Sequence, residues 1–266
     1  MPAAPKRAVL ITGAASGIGA ATARLFAKHG WFVGIADIDA GAATALATEL
    51  GKEAATPITL DVRDDADWAR AVAAFGQTSG GRLDALINNA GQLTAGPIEH
   101  TPADKLRAMV DINLTGAILG VQACLPLLKA TPGARIVNVA SITGLRALPE
   151  ASVYSATKYA LRGLSEALRD ELAPDGVAVS TVYPAFTATA MMDAERGGVD
   201  DRLLQRLEAG GLKLYAPESI AKAIWKAVER RHDEAGAGGL GRGMRFLATT
   251  SPPLLKLLWW RRRRGH

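Results

Sequence analysis

The amino-acid sequence predicts an α/β protein built as one domain, and three observations carry that expectation. Apolar, β-branched runs of strand length recur at RAVLIT (7–12), WFVGIAD (31–37), TPITLDV (56–62), LDALINNAG (83–91), ARIVNVAS (134–141) and VAVSTVYP (177–184). Helix-length segments such as GIGAATARLFAK, ADWARAVAAF and VYSATKYALRGLSEALRDEL separate them, and strands alternating with helices mark a parallel sheet with crossover helices. No linker rich in Pro, Gly or Ser interrupts this alternation until about residue 235. Residues 1–234 therefore read as a single domain, and 235–266 as a glycine-rich linker with a basic, apolar tail.

Composition narrows the class. A chain of 266 residues with 21% charged side chains can bury a sizeable core. It shows no charged-then-apolar leader, no uninterrupted apolar run of the roughly 18 residues that span a bilayer, and a single Cys124 that cannot form an intrachain disulfide. These features predict a cytoplasmic protein. The formal charge of +5 is local: from Ala235 onward there are seven cations and no acids, which leaves the first 234 residues at −2. No nucleic-acid role is expected of the body.

Taken in order, the first strand is closed by Gly13 and followed by Gly17 and Gly19 at the head of a helix that ends near Gly30. Glycines there permit a tight turn and close approach of backbone N–H groups to a pyrophosphate, which the helix N-terminus also favours. The spacing is Gly-x-x-x-Gly-x-Gly rather than the commoner Gly-x-Gly-x-x-Gly. The second strand ends in Asp37, 24 residues after Gly13. An acid at that point can accept both hydroxyls of an adenosine ribose and would repel a 2′-phosphate, so NAD is preferred to NADP. Asp39 is the better placed cap for the following helix, which leaves Asp37 for a ligand.

Asp61 closes the third run, and with Asp64 or Asp65 available as a helix cap it reads as an adenine contact. Asn88 and Asn89 end the fourth strand, where Asn side chains can tie neighbouring strands together. Thr101 and Pro102 read as cap and first residue of a long helix that carries Asn113 in its middle. Asn is a poor interior helix residue, so Asn113 either ties to a nearby backbone or binds a water. The fifth strand delivers Ser141 at its carboxyl end, the edge where open parallel sheets bind ligands.

Tyr154 and Lys158 lie four apart in an amphipathic helix and share a face. A phenol with a fixed cation beside it titrates below its reference of about 10 and can exchange a proton near neutrality.

In that order, TGAASGIG (12–19), Asp37, Asp61, NNAG (88–91), Asn113, Ser141, YSATK (154–158) and the segment Pro184 to Thr189 resemble the classical short-chain dehydrogenase/reductase family, over about residues 6 to 230. The resemblance implies a Rossmann-type doubly wound parallel sheet of about seven strands with helices on both faces. It also implies NAD(P)-linked oxidation or reduction at an alcohol or carbonyl carbon, with no metal. Carried over residue by residue, Tyr154 is the general acid/base, Lys158 holds the nicotinamide ribose and favours the phenolate, Ser141 binds the substrate oxygen, and Asn113 holds a water that links Lys158 to solvent. The dinucleotide would be held by Gly13, Ser16, Gly17, Ile18, Gly19, Asp37, Asp61, Val62, Asn89, Ala90, Gly91, Tyr154, Lys158, Pro184, Thr187 and Thr189. One departure is Ala185, where the family usually has Gly after Pro184. The family also pairs its long helices across a twofold axis, so a homodimer or homotetramer is implied.

A pocket lined by ITGLRALPEAS, Leu93, Thr94 and the apolar residues between Phe186 and Tyr215 suits a hydrophobic secondary alcohol or ketone. The tail LLKLLWWRRRR suits an interfacial anchor on anionic lipid, or packing on the body with solvated arginines. The competing functions are an NADPH-dependent carbonyl reductase, an epimerase or dehydratase, and a dinucleotide-sensing protein without catalysis.

Overall fold

A computed structural model of the chain describes residues 6–187, 214–230 and 232–251. The strands are β1 (Ala8–Thr12), β2 (Phe32–Asp37), β3 (Ala55–Thr59), β4 (Ala85–Asn88), β5 (Arg135–Val139), β6 (Ala178–Pro184) and β7 (Glu234–Ala237). The helices are α1 (Gly17–Lys28), α2 (Ala40–Leu50), α3 (Asp65–Thr78), α4 (Ala103–Val110), α5 (Gly116–Ala130), α6 (Ser152–Leu172), α7 (Pro217–Arg230) and α8 (Gly238–Thr250). All seven strands run parallel in the order β3-β2-β1-β4-β5-β6-β7.

Burial on both faces explains the continuous apolar strands. In β1, Val9 and Ile11 pack with Phe26 of α1, Leu46 of α2 and Ile224 of α7. Ala8 and Leu10 point the other way, toward Trp68 and Phe75 of α3 and Leu128 of α5. The expected doubly wound sheet with helices on both faces is therefore observed. Its order reverses at β1, which pairs with both β2 and β4, and the crevice at the carboxyl ends of those strands is where such sheets bind ligands.

Asp39 caps α2 by accepting from Ala42 N, and Asp64 caps α3 by accepting from Ala66 N and Asp67 N. Other expectations need correction. The third strand stops at Thr59, so Asp61 and Val62 lie beyond the ladder. Thr101 caps nothing: its hydroxyl donates to the Pro97 carbonyl, and Pro102, at ψ 136°, stays extended, so α4 begins at Ala103. The long helix is not uniform, because Asp111–Thr115 forms a π turn between α4 and α5. The combined stretch Ala103–Ala130 is long and apolar enough to cross a membrane by length and composition. Met109, Val121, Cys124 and Leu128 are nonetheless buried in the protein.

The largest correction is at residue 235. The supposed linker supplies β7 and α8, so the domain continues past its expected end at 234 to Thr250. In β7, Gly236 carries no side chain because a Cβ there would collide with the backbone of Gly241 and Arg242, where α8 closes over the strand. The basic tail from residue 252 lies outside the described residues.

Candidate active site

The site begins at the glycine turn. Gly13 at φ +60° and Gly17 at φ +50° occupy conformations that side chains disfavour. A Cβ on Gly13 would come 2.9 Å from Ala90 Cα. One on Gly19 would overlap the Gly13 carbonyl oxygen and lie 2.8 Å from Ala14 Cα. The exposed Ser16 precedes α1 without capping it, and the first turn holds no acidic residue. That turn, with Ile18 half-buried in it, is a helix N-terminus suited to an anion. Gly19→Ala is expected to lower stability by about 2 kcal/mol and to weaken NADH binding, read by thermal melting and fluorescence titration.

Thr12 and Asn89 fasten the turn to β4. Asn89 Nδ2 donates to the carbonyls of Thr12 (2.9 Å) and Gly13 (3.0 Å), while Thr12 Oγ1 accepts from the N–H groups of Asn89 and Ala90, both at 3.0 Å. Asn88 Nδ2 donates to Asn138 Oδ1 at 2.9 Å, which joins β4 to β5 as expected of strand-tying amides.

Asp37 is not wholly free for a ligand. It accepts from Ala15 N at 2.9 Å and Asp39 N at 3.1 Å, so it braces the glycine turn and keeps part of its acceptor capacity. Asp61 is more heavily committed. Arg63, which sequence reasoning passed over, binds both its oxygens at 2.6–3.1 Å. The Arg63 hydrogen bonds hold the Asp61 carboxyl below the usual carboxylate range. Val62 lies between them and α5: its carbonyl accepts from Trp68 Nε1, and a Cβ on Gly116 would come 2.8 Å from its Cγ2.

At the neighbouring strand end, Ser141 is buried and its Oγ accepts from Thr143 N at 3.2 Å, which starts a 3-10 turn at Ile142–Gly144. Gly144 lets that turn rest on α6, since a Cβ there would come 2.6 Å from the Lys158 carbonyl oxygen. Lys158 is buried, and its Nζ donates to Val139 O at 3.0 Å and sits 5.5 Å from the Tyr154 ring centroid. Loss of solvation lowers its pKa to about 8. A Cβ on Gly91 would lie 3.6 Å from Lys158 Nζ and 3.3 Å from Asn113 Oδ1, so the β4 loop, the π turn and α6 meet at this point.

Asn113 adopts the backbone-tying alternative. Its Oδ1 accepts from Gln92 N at 2.7 Å, and its Nδ2 donates to Gln92 O at 2.9 Å and to Thr157 Oγ1 at 3.2 Å. Beyond β6, Pro184 is followed by a buried Ala185, and Thr187 Oγ1 donates to Ala185 O at 2.8 Å. Thr189 and the apolar positions from Met191 to Leu212 lie outside the described residues.

A family model described as short chain dehydrogenase matches residues 7–199. The chain belongs to the short-chain dehydrogenase family. It is 37% identical over 194 residues to a trans-4-hydroxycyclohexanecarboxylate dehydrogenase from Sinomonas cyclohexanicum, covering 70% of this chain and 74% of that one. It is 36% identical over 187 residues to a 3-alpha-(or 20-beta)-hydroxysteroid dehydrogenase from Mycobacterium bovis, covering 70% and 71%. Among solved structures it resembles a short-chain dehydrogenase/reductase from Burkholderia phymatum in complex with NAD, with a TM-score of 0.77 and 29% identity over 86% of this chain and 88% of that one. As a short-chain dehydrogenase this protein is an NAD(P)-linked oxidoreductase, and its glycine cradle and uncapped α1 N-terminus fit a dinucleotide.

Proposed function

We infer that the protein oxidises a secondary alcohol on an apolar skeleton to the ketone, or runs the reverse reaction, with NAD in preference to NADP. The buried Lys158 ammonium at the Tyr154 ring, with the turn that begins at Ser141 resting on the Lys158 backbone at Gly144, is the observation that carries this reading. Bound NAD supplies the hydride acceptor. Tyr154 then takes the hydroxyl proton as general base, Lys158 favours its phenolate, and Ser141 donates a hydrogen bond to the substrate oxygen where negative charge develops. Gly13 to Gly19 and Asn89 to Gly91 hold the dinucleotide, with Pro184 and Thr187 at the nicotinamide end.

NAD preference rests on the Asp37 carboxylate beside the turn, with neither Arg nor Lys at position 16 or 38 to meet a 2′-phosphate. The apolar skeleton is supported by the alicyclic ring alcohols that the two relatives are named for, a hydroxysteroid and a hydroxycyclohexane that also bears a carboxylate. A homo-oligomer is supported by the family and by Val110 and Tyr159, exposed apolar residues on α4 and α6.

The test follows reduced-nicotinamide absorbance with cyclohexanol, 1-phenylethanol and sorbitol, using NAD and NADP side by side. The expected result is turnover of the first two, at least about tenfold better with NAD, and loss of that discrimination in Asp37→Ala. Equal rates on sorbitol would sink the apolar assignment, and equal use of both nucleotides would sink the cofactor assignment.

A further inference from the structure

We propose that Thr157 is a positioning residue for the Tyr154–Lys158 pair, acting through a hydrogen-bonded chain that runs from the β4 loop to the catalytic turn of α6. The proposal rests on the reading above and adds a member to its machinery. Thr157 is buried between the two candidate catalytic residues, and its one hydroxyl makes two bonds at once. It donates to the Tyr154 carbonyl at 2.7 Å and accepts from Asn113 Nδ2 at 3.2 Å. Asn113 in turn grips the Gln92 backbone through both ends of its amide. Three elements remote in sequence are thus tied by one polar thread: the loop after β4 that carries Gly91, the π turn, and the first turns of α6.

The chemistry of position 157 is demanding. Asn113 Nδ2 is a donor and the Tyr154 carbonyl is an acceptor, so the side chain between them must be both at once, and only a hydroxyl of this length fits. A helical threonine that bonds back to its i−3 carbonyl already has its χ1 rotamer fixed. The thread therefore sets how far α6 stands from Gly91, near which Lys158 Nζ lies. A catalytic pair misplaced by a fraction of an ångström loses rate without losing its chemistry. Valine at 157 keeps the shape, removes both bonds, and leaves a buried amide N–H of Asn113 short of an acceptor.

The experiment compares the full-length wild type with Thr157→Val, Thr157→Ser and Tyr154→Phe, using cyclohexanol as the probe. Folding is checked by circular dichroism and NADH binding by fluorescence titration. Thr157→Val is expected to fold, to bind NADH within about twofold of wild type and to lose about tenfold in kcat with little change in KM. The alkaline limb of its pH–rate profile should move by about half a pH unit or more as Lys158 shifts, and Thr157→Ser should restore both rate and limb. A wild-type kcat and pH profile in Thr157→Val would overturn the proposal, as would a loss confined to KM or a serine variant no better than valine. Where valine fails to fold, Thr157→Cys, a weak donor and acceptor, takes its place with the same expectations. Tyr154→Phe separates the two failures: an inactive Tyr154→Phe beside a normal Thr157→Val removes only the positioning role, whereas an active Tyr154→Phe removes the reading on which it rests.

Discussion

Replacing Tyr154 by phenylalanine is expected to lower kcat/KM by about 10³-fold or more while NADH still binds, an effect at the upper range of general acid–base catalysis. The variant deletes one oxygen and keeps the ring and backbone contacts at this position. The ring remains 5.5 Å from the Lys158 ammonium. The Tyr154 carbonyl still accepts from Thr157, so α6 keeps its seating. Gly144 still rests on the Lys158 backbone, and Ser155 Oγ still accepts from Leu148 N, which closes the loop before the helix. With an unchanged melting temperature and NADH affinity, the lost rate belongs to the proton that the phenol carries. The check is initial rate at the reduced-nicotinamide absorbance, set beside the NADH dissociation constant and the melting temperature. Near-normal turnover would assign proton transfer to another group. A parallel loss of NADH affinity would mean that the phenol binds rather than reacts.

How much of this could be read from the sequence depended on whether one residue type admits one explanation. The glycine turn was legible because 13, 17 and 19 combine positions of positive φ with a spot where even a methyl collides with backbone, and no other residue satisfies those constraints. The apolar runs were legible because strands buried on both faces carry mostly apolar side chains, and the buried polar ones among them, such as Asn88 and Asn138, bond to each other. Ser141, Tyr154 and Lys158 could be placed at one strand end and one helix turn by periodicity alone, and the structure brings those elements together at Gly144.

What stayed hidden was decided by long-range contact. Nothing in EAGAGG separates a strand from a linker, since its small residues are selected by the close approach of α8 at Gly236 rather than by β propensity. The Arg63–Asp61 pair left the carboxylate engaged where local spacing had left it open. Asn113 was equally balanced between a water and a backbone tie because its partner, Gln92, lies 21 residues away. The π turn that carries it has no sequence signature of its own.

Lys158→Met is expected to yield an inactive enzyme that is more stable than the wild type at pH 7 by up to about 3 kcal/mol, the order implied by the downward shift from 10.5 to about 8. The shift arises from burial, so the folded state holds the proton of Lys158 less tightly than the unfolded chain does. Below pH 8 both states are protonated, and the unfavourable burial of the ammonium is present in full. Between about pH 8 and 10.5 the unfolded chain retains a proton that the folded protein has released, so unfolding free energy rises with pH across this window and levels off above it. Methionine keeps the length of the chain and abolishes the charge, so the variant should lack that rise. Urea titrations of the cofactor-free protein at pH 7, 9 and 10.5 measure it directly. The same group bounds catalysis, because a lysine that must be cationic to favour the phenolate confines wild-type kcat/KM to the acid side of about pH 8. Lys158→Arg, cationic throughout, should remove that limb from whatever activity remains. A wild-type rate that keeps climbing past pH 9, together with a Lys158→Met variant less stable than its parent, would show that the ammonium is held by compensating contacts stronger than its burial and that its charge does not govern the tyrosine.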